Sequence, residues 1–331
     1  MQDSGPTKNT RVVITRRGGP EVLRVVEEEL ADPQPGRVRV RIIATGVAYA
    51  DVLMRYGLYP VKEKVPFAPG YDIVGVTSAG DRVAALTIHG GYARYLDLAQ
   101  EELVPVPDSL DPAEAVSLVL NYVTADQMLH REANVKSGDR ILVHGAEGGV
   151  GTALLELGRL DRLEMFGTAS SGKQDLVKSL GATPIDYKTE DFVDRAQSIG
   201  GVDAVFDAIG GSNWWRSYRC LRAGGRLVVY GISAAISHNR ANRAVAVGSF
   251  LSLGIMKAIP DGKSASFYAI TTYKEKHPDW FREDLSRLLD LLRRQMIHPV
   301  IGERLPLREA ARAHQLLESA SVTGKIVLMC E

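Results

Sequence analysis

Along the first hundred residues, apolar and polar positions alternate at period two. Arg37 to Ala44 reads RVRVRIIA, the signature of a half-buried strand. Short apolar runs at Ile73–Val76, Arg82–Leu86 and Gly91–Leu96 predict three further strands, and together they describe a small, mainly β domain. The period changes near residue 112. Pro112 to Leu129 carries helical spacing, with Asp111 as N-cap and Pro112 at the first helical position. Strands and helices then alternate: strand Arg140–His144, helix Gly151–Leu163, strand Glu164–Thr168, helix Gln174–Leu180, strand Ala204–Asp207, helix Trp214–Leu221, strand Arg226–Tyr230. That order is what a doubly wound parallel sheet requires, so the fold class is α/β. Near residue 270 the pattern changes again. A long amphipathic helix over Asp279–Gln295, a second over Glu309–Ser319 and a closing strand over Gly324–Met329 form a tail expected to return to the first domain.

Composition narrows the function classes. The 331 residues suit two domains, and 45% hydrophobic with 24% charged is an ordinary globular mixture. Lys plus Arg equals Asp plus Glu at 40 each, so no global field draws the chain to nucleic acid or an anionic membrane. Two lone cysteines, Cys220 and Cys330, point to a reducing compartment rather than a disulfide scaffold. Residues 1–10 are polar, without the apolar core of a signal peptide, and no window approaches a membrane span. The expectation is a cytoplasmic protein with neither a membrane nor a nucleic-acid partner.

The strongest motif runs Leu142-Val143-His144-Gly145-Ala146-Glu147-Gly148-Gly149-Val150-Gly151. An apolar strand enters a glycine-rich turn and a helix opens after it, the context in which a dinucleotide fingerprint carries weight. Gly148 lets backbone approach a pyrophosphate, Gly151 lets the helix pack on the strand, and the helix N-terminus offers N–H groups to an anion. Ala146 stands where the first glycine of the fingerprint usually does. The plain alternative is a tight turn in any α/β domain. After the next strand, an NAD site places an Asp or Glu to accept from the ribose 2′-OH. Here the segment is Gly167-Thr168-Ala169-Ser170-Ser171-Gly172-Lys173, two hydroxyls and a cation, which suits a 2′-phosphate and predicts NADPH. Tyr187 and Lys188 close the third strand region and are placed to reach the same phosphate. Helix capping is the alternative role for Ser170 and Ser171.

Several stretches in shared order carry a resemblance. They are Ala44-Thr45-Gly46-Val47-Ala48-Tyr49-Ala50-Asp51, Arg55 to Pro60, Pro69-Gly70-Tyr71-Asp72, Gly80-Asp81-Arg82-Val83, Gly91 to Tyr95, Ala146 to Gly151, and Gly324 to Leu328. On these the chain resembles the zinc-free quinone oxidoreductase (zeta-crystallin-like) branch of the medium-chain dehydrogenase/reductase superfamily. The stretch His277 to Leu285 also resembles the subgroup related to vesicle amine transport protein. The resemblance implies a GroES-like mainly β domain over residues 1–116 and 271–331, around a Rossmann NADPH-binding domain over 117–270.

It also implies roles. The first catalytic-zinc ligand position is Ala48 and the second is Tyr71, neither a zinc ligand, and the seven histidines form no HxxxH or HxH pair, so no metal is expected. Without a Lewis acid, hydride addition to a conjugated acceptor, a quinone or an α,β-unsaturated carbonyl, is favoured over alcohol oxidation. Tyr59 is the candidate proton donor, with filling of the cleft wall as its alternative. Asp51 resembles an acid near the nicotinamide ribose, or caps the helix that follows. Ala48, Tyr49 and Tyr71 line the substrate pocket or simply pack. Thr124, Tyr230, Gly231 and Ile232 are implied to contact the nicotinamide end; for Thr124 a hydroxyl bond within its helix is the alternative. Trp214 and Trp215 read as helix packing, and the basic run Arg282 to Arg294, interleaved with acids, as a solvated face. By analogy the chain is a homodimer, with the apolar segment Val245–Ile259 suited to the interface. An enoyl-thioester reductase and a non-catalytic NADPH-binding scaffold are the competing functions.

Overall fold

The computed structural model describes residues 8–59, 63–237 and 240–330. They form two compact units, Met1–Leu120 with Leu285–Glu331, and Asn121–Asp284. The sequence pattern places the boundaries after residues 116 and 270. The units divide after 120 and, within the helix Pro278–Arg293, after 284.

The first unit is built on the long strand Arg37–Val47, whose alternation buries one face as the sequence predicts. The sheet runs Ile301–Pro306, Lys325–Met329, Arg37–Val47, Asp72–Thr77, Arg82–Leu86, Val104–Pro105, with Tyr95–Ala99 also paired to Arg37–Val47. The closing strand Lys325–Met329 lies antiparallel against Ala44–Val47, so the tail does return to the first domain's sheet. The pairing is fastened by a buried ion pair. Lys325 Nζ donates to Asp72 Oδ2 at 2.8 Å, and Asp72 Oδ1 accepts from the Gly46 N–H at 2.7 Å. Gly46 is glycine because a Cβ there would run into the Lys325 side chain.

Three elements depart from the sequence pattern. The strand expected at Gly91–Leu96 forms at Tyr95–Ala99, because Gly91 and Tyr92 donate instead to the carbonyls of Gly70 and Pro69. A hairpin of Lys8–Ile14 with Leu23–Glu29 flanks the sheet. A helix over Tyr49–Tyr56 places Asp51 at its third position, where the carboxylate accepts from the Ala48 N–H; Ala48, not Asp51, occupies the N-cap.

The second unit is a six-stranded, all-parallel sheet in the order Thr183–Asp186, Glu164–Ala169, Arg140–His144, Val202–Asp207, Leu221–Val229, Ser264–Phe267. Numbered in chain order this is 3-2-1-4-5-6, the Rossmann arrangement, and its crossovers leave the carboxyl ends of strands 1 and 4 adjacent at the point of reversal. The helical run beginning at Pro112 starts as predicted, with the Asp111 carboxylate accepting from the Ala113 and Glu114 N–H groups at 3.0 Å. It continues through π-helical turns at Leu118–Tyr122 and Met128–Glu132. The apolar segment around Val245–Ile259 proves to be a helix, Arg243–Ala258, with Asn242 accepting from the Val245 N–H at 3.2 Å.

A half-exposed histidine between two carboxylates ties helix to helix in this unit. His130 sits 3.0 Å from Asp126 Oδ1 and 2.8 Å from Asp161 Oδ2, and the two carboxylates raise its pKa from 6.5 to about 9. A histidine whose pKa is raised by folding adds stability that is fully present below pH 6.5 and is lost as pH climbs through 9. The ring is over a third exposed, so solvent screening holds the effect to about 1 kcal/mol. His130→Gln is therefore expected to lower the unfolding free energy by about 1 kcal/mol near pH 6 and by almost nothing near pH 10. Denaturant titrations at both pH values check this; an equal penalty at both contradicts it.

Candidate cofactor and active site

The glycine-rich turn sits at the carboxyl end of the first, central strand of the parallel sheet. Gly145 takes the left-handed region at φ 62°, and Gly148, extended, is the N-cap of the helix Gly149–Leu160. Among the described residues no side chain caps that helix, so its first-turn N–H groups and the positive end of its dipole offer an anion site. Gly151 is where the helix crosses the turn. A Cβ there would overlap the Gly145 carbonyl oxygen and sit 2.7 Å from Ala146 Cα. Ala146 is fully buried, and a Cβ on Gly167 of the neighbouring strand would come within 2.6 Å of its methyl group. Gly148 is less constrained, since its Cβ would approach Gly145 O at 3.3 Å. Gly149 and Val150 form the first helical turn beside it.

Behind the turn lies a buried network that no sequence motif marks. His144 bridges Thr168 Oγ1 at 3.1 Å and Ser217 Oγ at 3.0 Å, and Ser217 donates to Asp207 Oδ2 at 2.7 Å. Asp207 also accepts from the Ile209 N–H at 2.7 Å and from Asn213 at 2.8 Å. Burial keeps the His144 pKa below its ordinary value, so the ring is neutral near pH 7. These contacts lock together the ends of strands 1, 2 and 4 where a ligand of a doubly wound sheet binds. Tyr230, Gly231 and Ile232 wrap over the same edge: the Tyr230 N–H donates to Asp207 O, and a Cβ on Gly231 would lie 2.9 Å from Ala208 O. Burial, with the Asp207 and Glu147 charges nearby, pushes the Tyr230 phenol upward. Thr124 is buried in its helix and its hydroxyl interacts with the Tyr268 phenol.

At the end of the second strand, Ser170 precedes a short 3-10 turn, Ser171–Lys173. The structure brings two carboxylates to this place that its own segment lacks. Ser171 donates to Asp186 Oδ2 at 2.5 Å, and Lys173 Nζ lies 3.8 Å from Glu147 Oε1 of the turn. Tyr187 is 53% exposed, with its ring toward solvent.

In the first unit, the hydroxyls of Tyr59 and Tyr71 meet at 2.5 Å, with their rings edge to face. Tyr71 is buried and Tyr59 half-buried. The bend that aims Tyr71 is Gly70, at φ 108°, where a Cβ would reach 2.6 Å from Gly91 Cα. Asp51 supports the bend before Tyr71. It is fully buried and accepts from the Ala48 N–H at 2.9 Å, the Gly70 N–H at 3.0 Å and, more distantly, the Tyr92 hydroxyl at 3.4 Å. Burial pushes its carboxyl up to about 7, although the two backbone donors pull the other way. The expectation of Asp51 as an acid beside the nicotinamide ribose thus meets a carboxylate with no solvent-accessible surface, committed to the backbone that carries Tyr71. Tyr49 does not share that environment: it lies against the Arg55–Glu318 ion pair and Tyr56, and burial first, then Glu318, raises its phenol to about 12. Ala48 is buried. Among the described residues, no three His, Cys, Asp or Glu side chains cluster as metal ligands do. A cavity of about 300 Å³ lined by Arg94, Arg304 and Arg308 contains none of these residues, and two of its arginines are already paired with Asp111 and Glu27.

Residues 34–108 match the alcohol dehydrogenase GroES-like domain family, and residues 180–328 the zinc-binding dehydrogenase family. A probable oxidoreductase from Mycobacterium abscessus shares 30% identity and a TM-score of 0.80, over 98% of this chain and 100% of that one. The chain belongs to the medium-chain dehydrogenase/reductase superfamily. Its pairing of a GroES-like sheet with a Rossmann sheet is therefore the family's fold, and its class is that of an oxidoreductase. Escherichia coli quinone oxidoreductase complexed with NADPH has a TM-score of 0.85 and 26% identity, over 97% of this chain and 99% of that one. The human synaptic vesicle membrane protein VAT-1 homolog is 29% identical over 337 residues, covering 96% of this chain and 86% of that protein. Among the described residues, no helix is long and apolar enough to cross a membrane.

Proposed function

We propose that this chain is an NADPH-dependent, zinc-independent reductase that delivers hydride to a quinone or an α,β-unsaturated carbonyl. The observation that carries the cofactor reading is the Gly145–Gly151 turn. Its helix is uncapped, and Gly151 permits a backbone approach that no other residue would. The turn fits a dinucleotide on those grounds, and the E. coli quinone oxidoreductase of the same fold was solved with NADPH. Ala146, Gly148, Gly149, Val150 and Gly151 would hold the pyrophosphate, and Ser170, Ser171, Lys173 and Tyr187 the 2′-phosphate. Thr124, Tyr230, Gly231 and Ile232 would bound the nicotinamide end. Bound NADPH supplies the hydride.

The chain's own residues supply the rest. Reduction of a conjugated carbonyl develops negative charge on oxygen, which calls for a hydrogen-bond donor and then a proton. With Tyr71 donating to Tyr59, the Tyr59 O–H is directed away from the pair toward an acceptor oxygen. Asp51 acts as a positioning residue, holding Ala48 and Gly70 so that Tyr71 keeps its place. Ala48 and Tyr71 at the zinc-ligand positions support the metal-independent reading. Tyr59→Phe is expected to lower kcat with a quinone or enone about a hundredfold, as loss of a proton donor does, with the NADPH dissociation constant unchanged. An unchanged kcat removes Tyr59 from the chemistry.

The assembly we propose is a homodimer. Val247, Leu251 and Ile255 form an exposed apolar stripe on the helix Arg243–Ala258, one turn apart, beside the sheet's edge strand Ser264–Phe267. Two buried free thiols, Cys220 and Cys330, fit a reducing, cytoplasmic setting.

A further inference from the structure

Glu147 stands inside the phosphate turn, between Ala146 and Gly148. A carboxylate is an unexpected neighbour for a phosphate. Its side chain is only 13% exposed; Oε1 lies 3.8 Å from Lys173 Nζ, while Oε2 is buried with no hydrogen-bond partner among the described residues. Its charge also reaches the Tyr230 phenol at the end of the fifth strand. Lys173 offsets the charge of Glu147 in part, and an arriving anion competes for the same lysine.

An ionised carboxylate oxygen is an acceptor only, so a buried one without a donor costs free energy until a donor comes. A ribose hydroxyl is such a donor. A 2′-phosphate, with no proton to give and nearly two negative charges, is the opposite, and it must also draw Lys173 away from Glu147. The second hydroxyl expected to serve that phosphate, Ser171, already donates to the Asp186 carboxylate.

We propose that Glu147 is a cofactor-discriminating residue: it accepts from the adenosine ribose hydroxyl of an unphosphorylated dinucleotide and opposes a 2′-phosphate, so the chain uses NADH alongside NADPH. Lys173 pulls the other way, and the ion pair between them sets the margin. This rests on the reading of the turn as a nicotinamide-dinucleotide site.

The test is direct binding, without turnover. Dissociation constants for NADPH, NADH and 2′,5′-ADP are measured by calorimetric titration on the wild type, Glu147→Gln and Lys173→Gln, with Glu147→Ser as a second variant should the glutamine one fold poorly. Wild type is expected to bind NADPH and NADH within about tenfold of each other. Glu147→Gln is expected to tighten NADPH and 2′,5′-ADP about tenfold and to weaken NADH a few-fold, as removal of one like charge and one acceptor predicts. Lys173→Gln is expected to lose 2′,5′-ADP and retain NADH. Equal shifts for both dinucleotides in Glu147→Gln, or none, overturn the assignment while leaving the cofactor site standing. Failure of the wild type to bind either dinucleotide overturns the cofactor reading itself, and this inference with it.

Discussion

Gly151→Ala is expected to abolish measurable NADPH binding and to cost about 3 kcal/mol of stability, the scale of an overpacked site that cannot relax. The added methyl group meets backbone rather than a side-chain tip: the Gly145 carbonyl and Ala146 Cα at 2.7 Å. Relief requires the helix Gly149–Leu160 to move off the sheet, and that displaces the N–H groups proposed to meet the pyrophosphate. Gly172, nearby, supplies the control. A Cβ there meets nothing within 4 Å and its backbone is not left-handed, so Gly172→Ala should change stability by less than about 0.5 kcal/mol. Urea titration of both variants and NADPH calorimetry of Gly151→Ala separate the outcomes. A Gly151→Ala protein that is stable and binds normally contradicts the close-approach account.

Lys325→Met is expected to cost about 3–5 kcal/mol, because it strands the buried Asp72 carboxylate without its cation. Both side chains are at most 2% exposed. The Gly46 N–H still donates to Asp72 Oδ1, but one donor does not replace a charge 2.8 Å away. Asp72→Asn combined with Lys325→Met removes both charges and should recover a large part of the loss, since a buried pair is worth far less against a neutral pair than against a half-pair. Because this contact fastens the closing strand to Ala44–Val47, the single variant should also loosen the segment that carries Ala48 and Tyr49. Amide exchange along residues 44–49 reads that directly. A single variant within about 1 kcal/mol of wild type contradicts the role given to the pair.

The contrast between these sites explains what was legible in the sequence. The glycine-rich turn was readable because its logic is local: a strand, a turn and a helix N-terminus within a dozen residues, with glycines where backbone must approach backbone. Period and order likewise exposed the parallel sheet, and the tail's return followed from its closing strand. Side-chain partnerships across the fold were not readable. Asp72 and Lys325 are 253 residues apart, and each appeared only as part of a motif. Asp51 was recognised as an important acid, but its burial depends on Gly70, Tyr92 and, through Tyr92, on His314, three separate segments. The segment Ser170–Lys173 looked free of carboxylates because its two acidic neighbours, Glu147 and Asp186, come from other strands' ends. His144 belongs to no motif, and its bridging role follows only from the adjacency of strands 1, 2 and 4.

The central claim is metal-independent hydride transfer from NADPH to a conjugated acceptor, and one measurement reaches it most directly. Purified protein is mixed with NADPH, with and without a small quinone or an enone, in the presence of a strong chelator, and absorbance of the reduced nicotinamide is followed. The account predicts oxidation that depends on the acceptor and runs at the same rate with the chelator as without it. Tight NADPH binding with no turnover on any acceptor, or turnover that the chelator stops, would contradict it.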